Sequence, residues 1–123
     1  MIEAACGIMY NKENFILLGK RNSKNTKYPN LWEFPGGKLE KGETIHECLR
    51  REWMEELNLH IEIEREIHQS NYDGQYLCRF FVGKILDEDN LQLNDHDEVL
   101  FLKKDEICQK QLFEGDHLII DKL

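Results

Sequence analysis

The segment Phe34–Leu59, FPGGKLEKGETIHECLRREWMEELNL, decides the fold, because it combines two adjacent glycines, a short charged loop and a helix rich in carboxylates. Thr44 predicts the start of the helix, since Glu47 follows three residues later and completes a capping box. Apolar residues then recur at every fourth position and predict one stripe that faces the core. The stripe consists of Ile45, Leu49, Trp53 and Leu57.

Carboxylates crowd the flank of that stripe. At about 100° per residue, Glu52, Glu55 and Glu56 fall within one arc beside the predicted buried face. Like charges at this spacing destabilise an isolated helix, and only the Arg51 to Glu55 spacing offers a partner of opposite sign. A hard divalent cation, above all Mg²⁺, would neutralise the cluster with oxygen ligands. For such a pattern taken alone, a solvated acidic face is the alternative.

The residues upstream favour the metal site. Gly36 and Gly37 follow a predicted strand, Leu31–Phe34, and paired glycines let the backbone approach a ligand closely. A backbone carbonyl can then join the carboxylates. From Gly37 through Glu43 to the helix, the sequence reads G-x5-E-x7-R-E-W-M-E-E-L-N-L.

This pattern resembles the Nudix box, G-x5-E-x7-R-E-U-x-E-E-x-G-U, in which U is a bulky aliphatic residue. The matching residues are Gly37, Glu43, Arg51, Glu52, Glu55, Glu56 and Leu59. Two positions depart from the pattern, since Trp53 replaces an aliphatic residue and Asn58 replaces the final glycine. Trp53 lies on the predicted core stripe, and Asn tolerates the left-handed end of a helix, so both are interpreted as packing variants.

The resemblance, which is to MutT-type Nudix proteins, implies an α/β fold, namely an α/β/α sandwich with a mixed sheet and a catalytic loop and helix. It implies Mg²⁺-dependent hydrolysis of a nucleoside triphosphate, in some cases oxidised or non-standard, to the monophosphate and pyrophosphate, with Mn²⁺ as a substitute metal. Two alternatives stay open. One is another nucleoside diphosphate derivative, such as a sugar nucleotide, a dinucleoside polyphosphate or a cap. The other is a non-catalytic nucleotide-sensing module, against which the intact acidic set argues.

The same resemblance implies roles for individual residues. The predicted catalytic residues are Glu43, Arg51, Glu52 and Glu55, with Glu52 as the candidate base. The predicted metal ligands are the Gly36 carbonyl, Glu52, Glu55, Glu56 and Asp95. Asp95 is chosen from an acidic loop over residues 87–98 because MutT-type proteins carry a ligand six positions before a bulky strand residue, here Phe101. Asp97 and Glu98 compete with it.

Substrate binding is predicted for residues outside the helix. Arg21 is a candidate phosphate or base contact, or a solvated strand-end residue. Phe34 can form a wall for a flat base, with Trp32 favoured for the core. Lys38 can steady a phosphate. Asp116 can cap the last helix, whereas the resemblance to Nudix proteins implies that it reads the edge of a base. An ionised Asp only accepts hydrogen bonds, and a protonated Asp also donates.

The other elements follow from periodicity and turn residues. Ala4–Tyr10 and Phe15–Lys20 predict a hairpin, and two further strands, from His60 towards Ile67 and from Tyr76 to Leu86, predict a long hairpin. A polar loop over residues 22–30 lies between the second and third strands. The predicted order ends with a strand at Val99–Lys103, a helical turn and a terminal helix.

Composition limits the function further. The chain has 123 residues, 41% of them hydrophobic, which predicts a single domain over residues 1–123. A net charge of −8 argues against long nucleic acid as a partner, so a small nucleotide is expected. Without a long apolar run or a basic leader, we expect a cytoplasmic protein that binds no membrane and is a monomer or weak homodimer.

Cysteine and histidine usage adds two expectations. The four cysteines lack metal-ligand spacing and are expected to be reduced and mostly buried: Cys6, Cys48, Cys78 and Cys108. The five histidines do not pair at metal-ligand spacing either. They are therefore predicted to be surface residues.

Overall fold

The computed structural model describes residues 1–24, 27–113 and 115–123, so the predicted polar loop over 22–30 lies partly outside the described residues. Within these ranges, seven strands form one sheet. They are β1 (Ile2–Tyr10), β2 (Ile16–Lys20), β3 (Trp32–Glu33), β4 (Gly36–Lys38), β5 (Ile61–Tyr72), β6 (Tyr76–Ile85) and β7 (Glu98–Leu102). The helices are α1 (Ile45–Leu57), α2 (Lys104–Ile107) and α3 (His117–Ile120), and a 3₁₀ turn covers Glu88–Asn90. Among the described residues, no helix is long and apolar enough to cross a membrane.

Strand β1 lies at the centre of a mixed sheet. It pairs in parallel with β6 along its whole length, and antiparallel with β4 at one end and β2 at the other. The β5–β6 hairpin is antiparallel, as predicted, and carries two register shifts. Strand β2 also pairs with β3 and β7, so the order is β3-β2-β1-β6-β5 with β4 and β7 beside this path.

Both faces of the sheet bear a hydrophobic core. Met9 of β1 and Phe81 of β6 pack towards α1, whereas their neighbours Ile8 and Phe80 pack on the opposite face against Ile119 of α3. Since side chains alternate between the faces of a strand, the apolar runs of β1 and β6 contribute to both cores at once. The predicted α/β/α sandwich is confirmed.

Helix α1 begins and ends as predicted. The Glu47 backbone N–H donates to the Thr44 hydroxyl at 3.1 Å, and the Thr44 backbone N–H donates to the Glu47 carboxylate at 2.8 Å, which completes the capping box. At the other end Asn58 adopts a left-handed conformation with φ of 57°. Its N–H donates to the Met54 carbonyl and closes the last turn. On the apolar stripe, Leu49, Trp53 and Leu57 are fully buried, and Ile45 is half-buried.

Trp53 is accommodated by a glycine on the sheet. A Cβ at Gly7 would lie 2.7 Å from the indole nitrogen of Trp53, so strand β1 leaves the space that the ring fills. The indole N–H donates to the Pro35 carbonyl at 2.9 Å. The aromatic departure from the expected aliphatic residue is therefore a packing variant, as predicted.

The glycines after β3 form a strand of their own, which the sequence did not predict. Residues Gly36–Lys38 pair with Ala4–Cys6 of β1. A side chain at Gly36 would collide with the Ala5 carbonyl of β1, and one at Gly37 would collide with the Glu52 carboxylate of α1. These glycines therefore let α1 and β1 approach β4 closely, which places α1 against the edge of the sheet.

Three predictions of burial are wrong. His96 is buried, at 4% exposure, instead of lying on the surface. Trp32, which was favoured for the core, is only half-buried, with the Lys110 ammonium 5.3 Å from its ring centroid, and its neighbour Phe34 is the core residue at 2% exposure. Among the four free thiols, Cys48 is buried and Cys108 is exposed. Strand β3 is only two residues long and ends beside a loop, which explains why Trp32 reaches solvent.

Candidate active site

Arg51 organises the charged loop that precedes α1. Its guanidinium forms a two-pronged contact with Glu43, with Nε donating to Oε2 at 2.7 Å and Nη2 donating to Oε1 at 2.9 Å. Nη1 contacts Glu52 at 2.9 Å and Glu55 at 3.2 Å, and Nη2 also donates to the Lys38 carbonyl. One cation thus fixes three carboxylates and the end of β4. The Arg51–Glu55 pair was predicted from the spacing and is confirmed.

Glu43 stays ionised in this arrangement. The hydrogen bonds from Arg51, and after them the backbone N–H of Glu40, lower its pKa to about 2. Its side chain joins the loop to the helix through Arg51. The geometry is consistent with the supporting role predicted for Glu43 and Arg51.

Glu52 lies where α1 faces β4. Its carboxylate packs so closely on Gly37 that a side chain at this position would displace it. Only 16% of its side chain is exposed, compared with 58% for Glu55. Of the two carboxylates that Arg51 contacts on α1, Glu52 is therefore the sheltered one.

Glu56 is the most buried of the helix carboxylates, at 8% exposure. Burial raises its pKa to about 10, and the negative charges of Glu33, Glu52 and Asp95 act in the same direction. Among the described residues, its Oε2 atom has no hydrogen-bond partner. Burial and the neighbouring charges keep a proton on this carboxyl near neutral pH, and a bound divalent cation would replace that proton, with the unpartnered oxygen as a ligand. These residues therefore fit a hard divalent cation.

The three acidic candidates of the loop before β7 lie in different places. Asp95 is exposed, yet its charge raises the pKa of Glu56, which places it on the side of the helix carboxylates. Asp97 accepts a hydrogen bond from the Ser23 backbone N–H at 2.9 Å, and Glu98 begins β7. The Asn94 backbone N–H donates to the Glu56 carbonyl and ties this loop to α1. Of the three, Asp95 is the one whose charge is among the main causes that raise the pKa of Glu56.

A cavity of about 350 Å³ opens beside β4 on the opposite side from α1. All four residues predicted to bind substrate line it, together with Gly36: Arg21, Phe34, Lys38 and Asp116. The aromatic residues Tyr28, Tyr72 and Phe113 complete its walls, and their rings contact one another. Gly37 lines the cavity and also packs against the Glu52 carboxylate, so it is the residue that the cavity and the carboxylate cluster share. An aromatic cavity of this size suits a flat base.

Arg21 and Lys38 are held at the cavity by different contacts. Arg21 forms an ion pair with Glu33 at 3.0 Å and donates to the carbonyls of Lys27 and Tyr28. Its guanidinium also lies 5.4 Å from the centroid of the Phe113 ring. These contacts show that much of the donor capacity of Arg21 serves the loop and Glu33. The Lys38 ammonium lies 5.3 Å from the Tyr76 ring.

Asp116 is buried at the cavity wall instead of capping α3. It precedes α3 but makes no side-chain hydrogen bond to that helix, so the predicted capping role is wrong. Its carboxyl accepts a hydrogen bond from the Tyr72 hydroxyl. Burial, and secondly the charge of Glu33, raise the pKa of Asp116 to about 7. A substantial fraction of this carboxyl is therefore protonated near neutral pH.

The raised pKa of Asp116 predicts a pH-dependent gain in stability for Asp116→Asn. Because the folded protein binds this proton up to about pH 7 and the unfolded chain releases it near pH 4, wild-type stability falls relative to the variant as pH rises between these values. We expect equal free energies of unfolding below about pH 4 and a gain of at least about 1 kcal/mol for the variant at pH 8. Urea denaturation at both pH values measures it, with the exposed Asp121→Asn as control. A gain that is the same at both pH values would contradict the raised pKa.

Glu33 and His96 are two site residues that the sequence analysis missed. The His96 Nε2 atom lies 2.7 Å from Glu33 Oε2 and 3.7 Å from Glu56 Oε1. One donor atom from each of Glu33, Glu56 and His96 lies within 4.8 Å of the others. Glu33 is the single charged residue in the apolar run LWEF, and this was the available signal. No spacing rule connects it with His96, which follows more than 60 residues later.

Known proteins resemble this chain over different lengths. It is 29% identical to the CTP pyrophosphohydrolase of Escherichia coli over 119 residues, which cover 94% of this chain and 86% of that protein. It is 37% identical to the 8-oxo-dGTP diphosphatase of Proteus vulgaris over 60 residues, which cover 49% of this chain and 53% of that protein. The match therefore spans about half the length of the second relative.

The fold is shared with a solved structure from a study of MutT from Aliivibrio salmonicida and Vibrio cholerae. The two structures superpose with a TM-score of 0.83 over 98% of this chain and 94% of the other, at 21% identity. The sandwich architecture is therefore that of MutT proteins. The profile of the Nudix domain matches residues 2–121, and the chain accordingly belongs to the Nudix family.

Proposed function

We propose that this protein hydrolyses a nucleoside triphosphate to the nucleoside monophosphate and pyrophosphate with the aid of Mg²⁺. The observation that carries the proposal is the meeting of the carboxylate cluster and the aromatic cavity at Gly37. A nucleotide with its base in the cavity would bring its phosphates to β4 and the start of α1. The two relatives, a CTP pyrophosphohydrolase and an 8-oxo-dGTP diphosphatase, support a nucleoside triphosphate as the substrate class.

The proposed metal ligands are the Gly36 carbonyl, Glu52, Glu55, Glu56 and Asp95. The unpartnered Oε2 atom of Glu56 and the exposure of Glu55 leave oxygens free for a cation. Mg²⁺ suits an all-oxygen set that also includes substrate phosphates, and Mn²⁺ accepts the same ligands. When bound, the cation would neutralise phosphate charge and lower the pKa of water.

The catalytic roles are assigned from the contacts that Arg51 makes with the carboxylates and from the exposure of each carboxylate. Glu52 is proposed to accept a proton from the attacking water, because it is sheltered and packs against Gly37 at the edge of the cavity. Arg51, held by Glu43, fixes the position of Glu52 at 2.9 Å. Attack on phosphorus depends mainly on alignment and charge neutralisation, so this rigid support serves catalysis. Lys38 is proposed to contact a phosphate.

Asp116 is proposed to read the base. Its Oδ1 atom accepts a hydrogen bond from the Tyr72 hydroxyl. The other oxygen, Oδ2, is proposed to contact a ligand in the cavity. Protonated, it can both donate and accept, and ionised, it accepts from an exocyclic amine such as that of cytosine. Phe34 and Phe113 are proposed to pack against the ring, and Arg21 to hold Glu33 and the cavity loop in place.

A panel of normal and oxidised nucleoside triphosphates, assayed with Mg²⁺, tests the proposal. Release of pyrophosphate together with a nucleoside monophosphate supports it. Release of orthophosphate would place the cleavage at the terminal phosphate and contradict it. If only a sugar nucleotide or a dinucleoside polyphosphate is hydrolysed, the substrate belongs to a different class from the one proposed. Nucleotide binding without turnover would indicate a sensing module.

The remaining expectations belong to the same proposal. A single domain over residues 1–123 is supported by one sheet with a core on each face. A cytoplasmic location is supported by free thiols, one of which, on Cys108, is exposed. A monomer or weak homodimer is expected, and sedimentation velocity over a range of protein concentrations would measure it.

A further inference from the structure

His96 occupies a fitted space between strand β2 and helix α1. Its side chain is fully buried. The imidazole packs against Gly19, where an added Cβ would lie 2.5 Å from Cδ2. A histidine enclosed in this way has its position set by the fold. Any group that it contacts is therefore held in a fixed place as well.

The contacts of the ring define which nitrogen carries hydrogen. Nε2 faces two carboxylates, at 2.7 Å from Glu33 and 3.7 Å from Glu56. Nδ1 is buried and has no hydrogen-bond partner among the described residues. A hydrogen on Nδ1 would find no acceptor among those residues, whereas Nε2 faces carboxylate oxygens, which accept hydrogen bonds. The hydrogen therefore belongs on Nε2, where it is donated to Glu33 Oε2.

This assignment separates His96 from the metal ligands, although its donor atom lies within 4.8 Å of carboxylate oxygens of Glu33 and Glu56. To ligate a cation through Nε2, the neutral ring would have to move its hydrogen to Nδ1, where nothing accepts it. The hydrogen bond to Glu33 would also be lost. Direct coordination by His96 is thus disfavoured, and a role through its neighbours is favoured.

The neighbours connect the two halves of the site. Glu33 Oε2 accepts the hydrogen bond from His96 Nε2. Glu33 Oε1 accepts a hydrogen bond from Arg21 Nη1 at 3.0 Å, at the wall of the cavity. On the other side, His96 faces Glu56, whose second oxygen is unpartnered. A polar chain therefore runs from the cavity through Arg21, Glu33 and His96 to the buried carboxylate of α1.

We propose that His96 is a positioning residue, which keeps the Glu33 and Glu56 carboxylates apart and orients Glu56 to receive the divalent cation. The inference rests on the proposed function, because it takes Glu56 as a metal ligand. Without the N–H donor, the half-buried carboxylate of Glu33 and the buried carboxyl of Glu56 face each other across the space that the ring occupied, and Glu56 loses its fixed orientation. Such outer partners of a metal site typically change metal affinity by 10–100-fold when removed.

Mn²⁺ binding to the protein without nucleotide tests the inference, measured by the loss of the free-ion electron paramagnetic resonance signal. We expect His96→Ala to weaken Mn²⁺ binding by at least about 10-fold. His96→Gln, whose side-chain N–H can replace Nε2–H, should recover most of that loss. His60→Ala is the control, since His60 is 70% exposed and pairs with Asp87 away from the site. Circular dichroism and urea denaturation establish that each variant is folded.

A second variant displaces the ring without removing it. The methyl group of Gly19→Ala would push the imidazole towards the carboxylates, so Mn²⁺ binding should weaken in this variant too. In the double variant Gly19→Ala/His96→Ala, the methyl group enters the space that the ring vacated. The double variant should therefore bind Mn²⁺ as His96→Ala does, and the two effects should not add.

Two outcomes overturn the inference in distinguishable ways. If the wild-type protein binds Mn²⁺ and folded His96→Ala binds it equally well, His96 does not position Glu56, and the proposed function is unaffected. If the wild-type protein itself neither binds Mn²⁺ nor turns over any nucleotide, the proposed function fails and the inference fails with it. Weaker binding in His96→Ala with no recovery in His96→Gln would show that the packed ring, not its N–H group, is what matters, and would also overturn the proposed mechanism.

Discussion

Replacing Glu52 by Gln is expected to lower kcat for nucleoside triphosphate hydrolysis by at least about 100-fold. The change is nearly isosteric, and the amide oxygen can still accept the hydrogen bond from Arg51. What is lost is the negative charge that would ligate a cation and accept a proton. Steady-state kinetics at saturating nucleotide and Mg²⁺, with pyrophosphate as the measured product, gives the size of the effect.

Glu62→Gln is the matched control, because Glu62 is an exposed carboxylate on β5 away from the cavity and α1. It should retain wild-type kcat. The Glu52 variant should remain folded, with an unfolding midpoint in urea close to that of the wild-type protein. Near-wild-type kcat in folded Glu52→Gln would remove Glu52 from the mechanism.

Truncation of Trp53 to Ala is expected to lower the free energy of unfolding by about 3–5 kcal/mol. The indole is fully buried between α1 and β1, and a methyl group in its place leaves a cavity against Gly7. Since small domains have only about 5–15 kcal/mol of stability in total, a large share of it would be lost. Equilibrium denaturation in urea at constant pH measures the change.

Trp53→Phe separates ring packing from the hydrogen bond to Pro35. Phe keeps an aromatic ring in the pocket, and the Pro35 carbonyl keeps its bond from the Gly7 N–H at 2.9 Å. The expected cost is therefore only about 1–2 kcal/mol. If Trp53→Ala lowered the free energy of unfolding no more than Trp53→Phe does, the packing of an aromatic ring at Gly7 would not contribute to stability as expected.

Helix α1 could be predicted from sequence because its signals are local. Thr44, Glu47 and Asn58 act through backbone groups a few residues away, and these contacts form as expected. The Arg51–Glu55 pair follows from the same short spacing. The sheet type and the β5–β6 hairpin could also be predicted, because alternating apolar residues indicate the strands and turn residues indicate the connection between them. Local physical rules were sufficient for these parts.

The rest of the site depends on contacts between distant residues. Strand β4 exists because Gly36 and Gly37 fit between β1 and α1, which only the paired sheet reveals. His96 is polar and lies in an acidic loop, which predicts exposure. Its burial instead depends on two residues distant in sequence, Gly19, which leaves space for the ring, and Glu33, which pairs with it. Asp116 precedes an apolar run as a helix cap does, yet Tyr72 and the cavity determine its surroundings. No spacing rule connects residues that far apart in the chain.

The central claim is that Glu52, Glu55 and Glu56 share a divalent cation that also contacts the phosphates of a nucleotide. Crystals grown with Mn²⁺ and a non-hydrolysable nucleoside triphosphate analogue test it through anomalous scattering from Mn²⁺. We predict a Mn²⁺ peak within about 2.5 Å of carboxylate oxygens of this cluster, with the base of the analogue in the cavity that Phe34 and Asp116 line. A bound analogue whose Mn²⁺ contacts none of the three glutamates would contradict the claim.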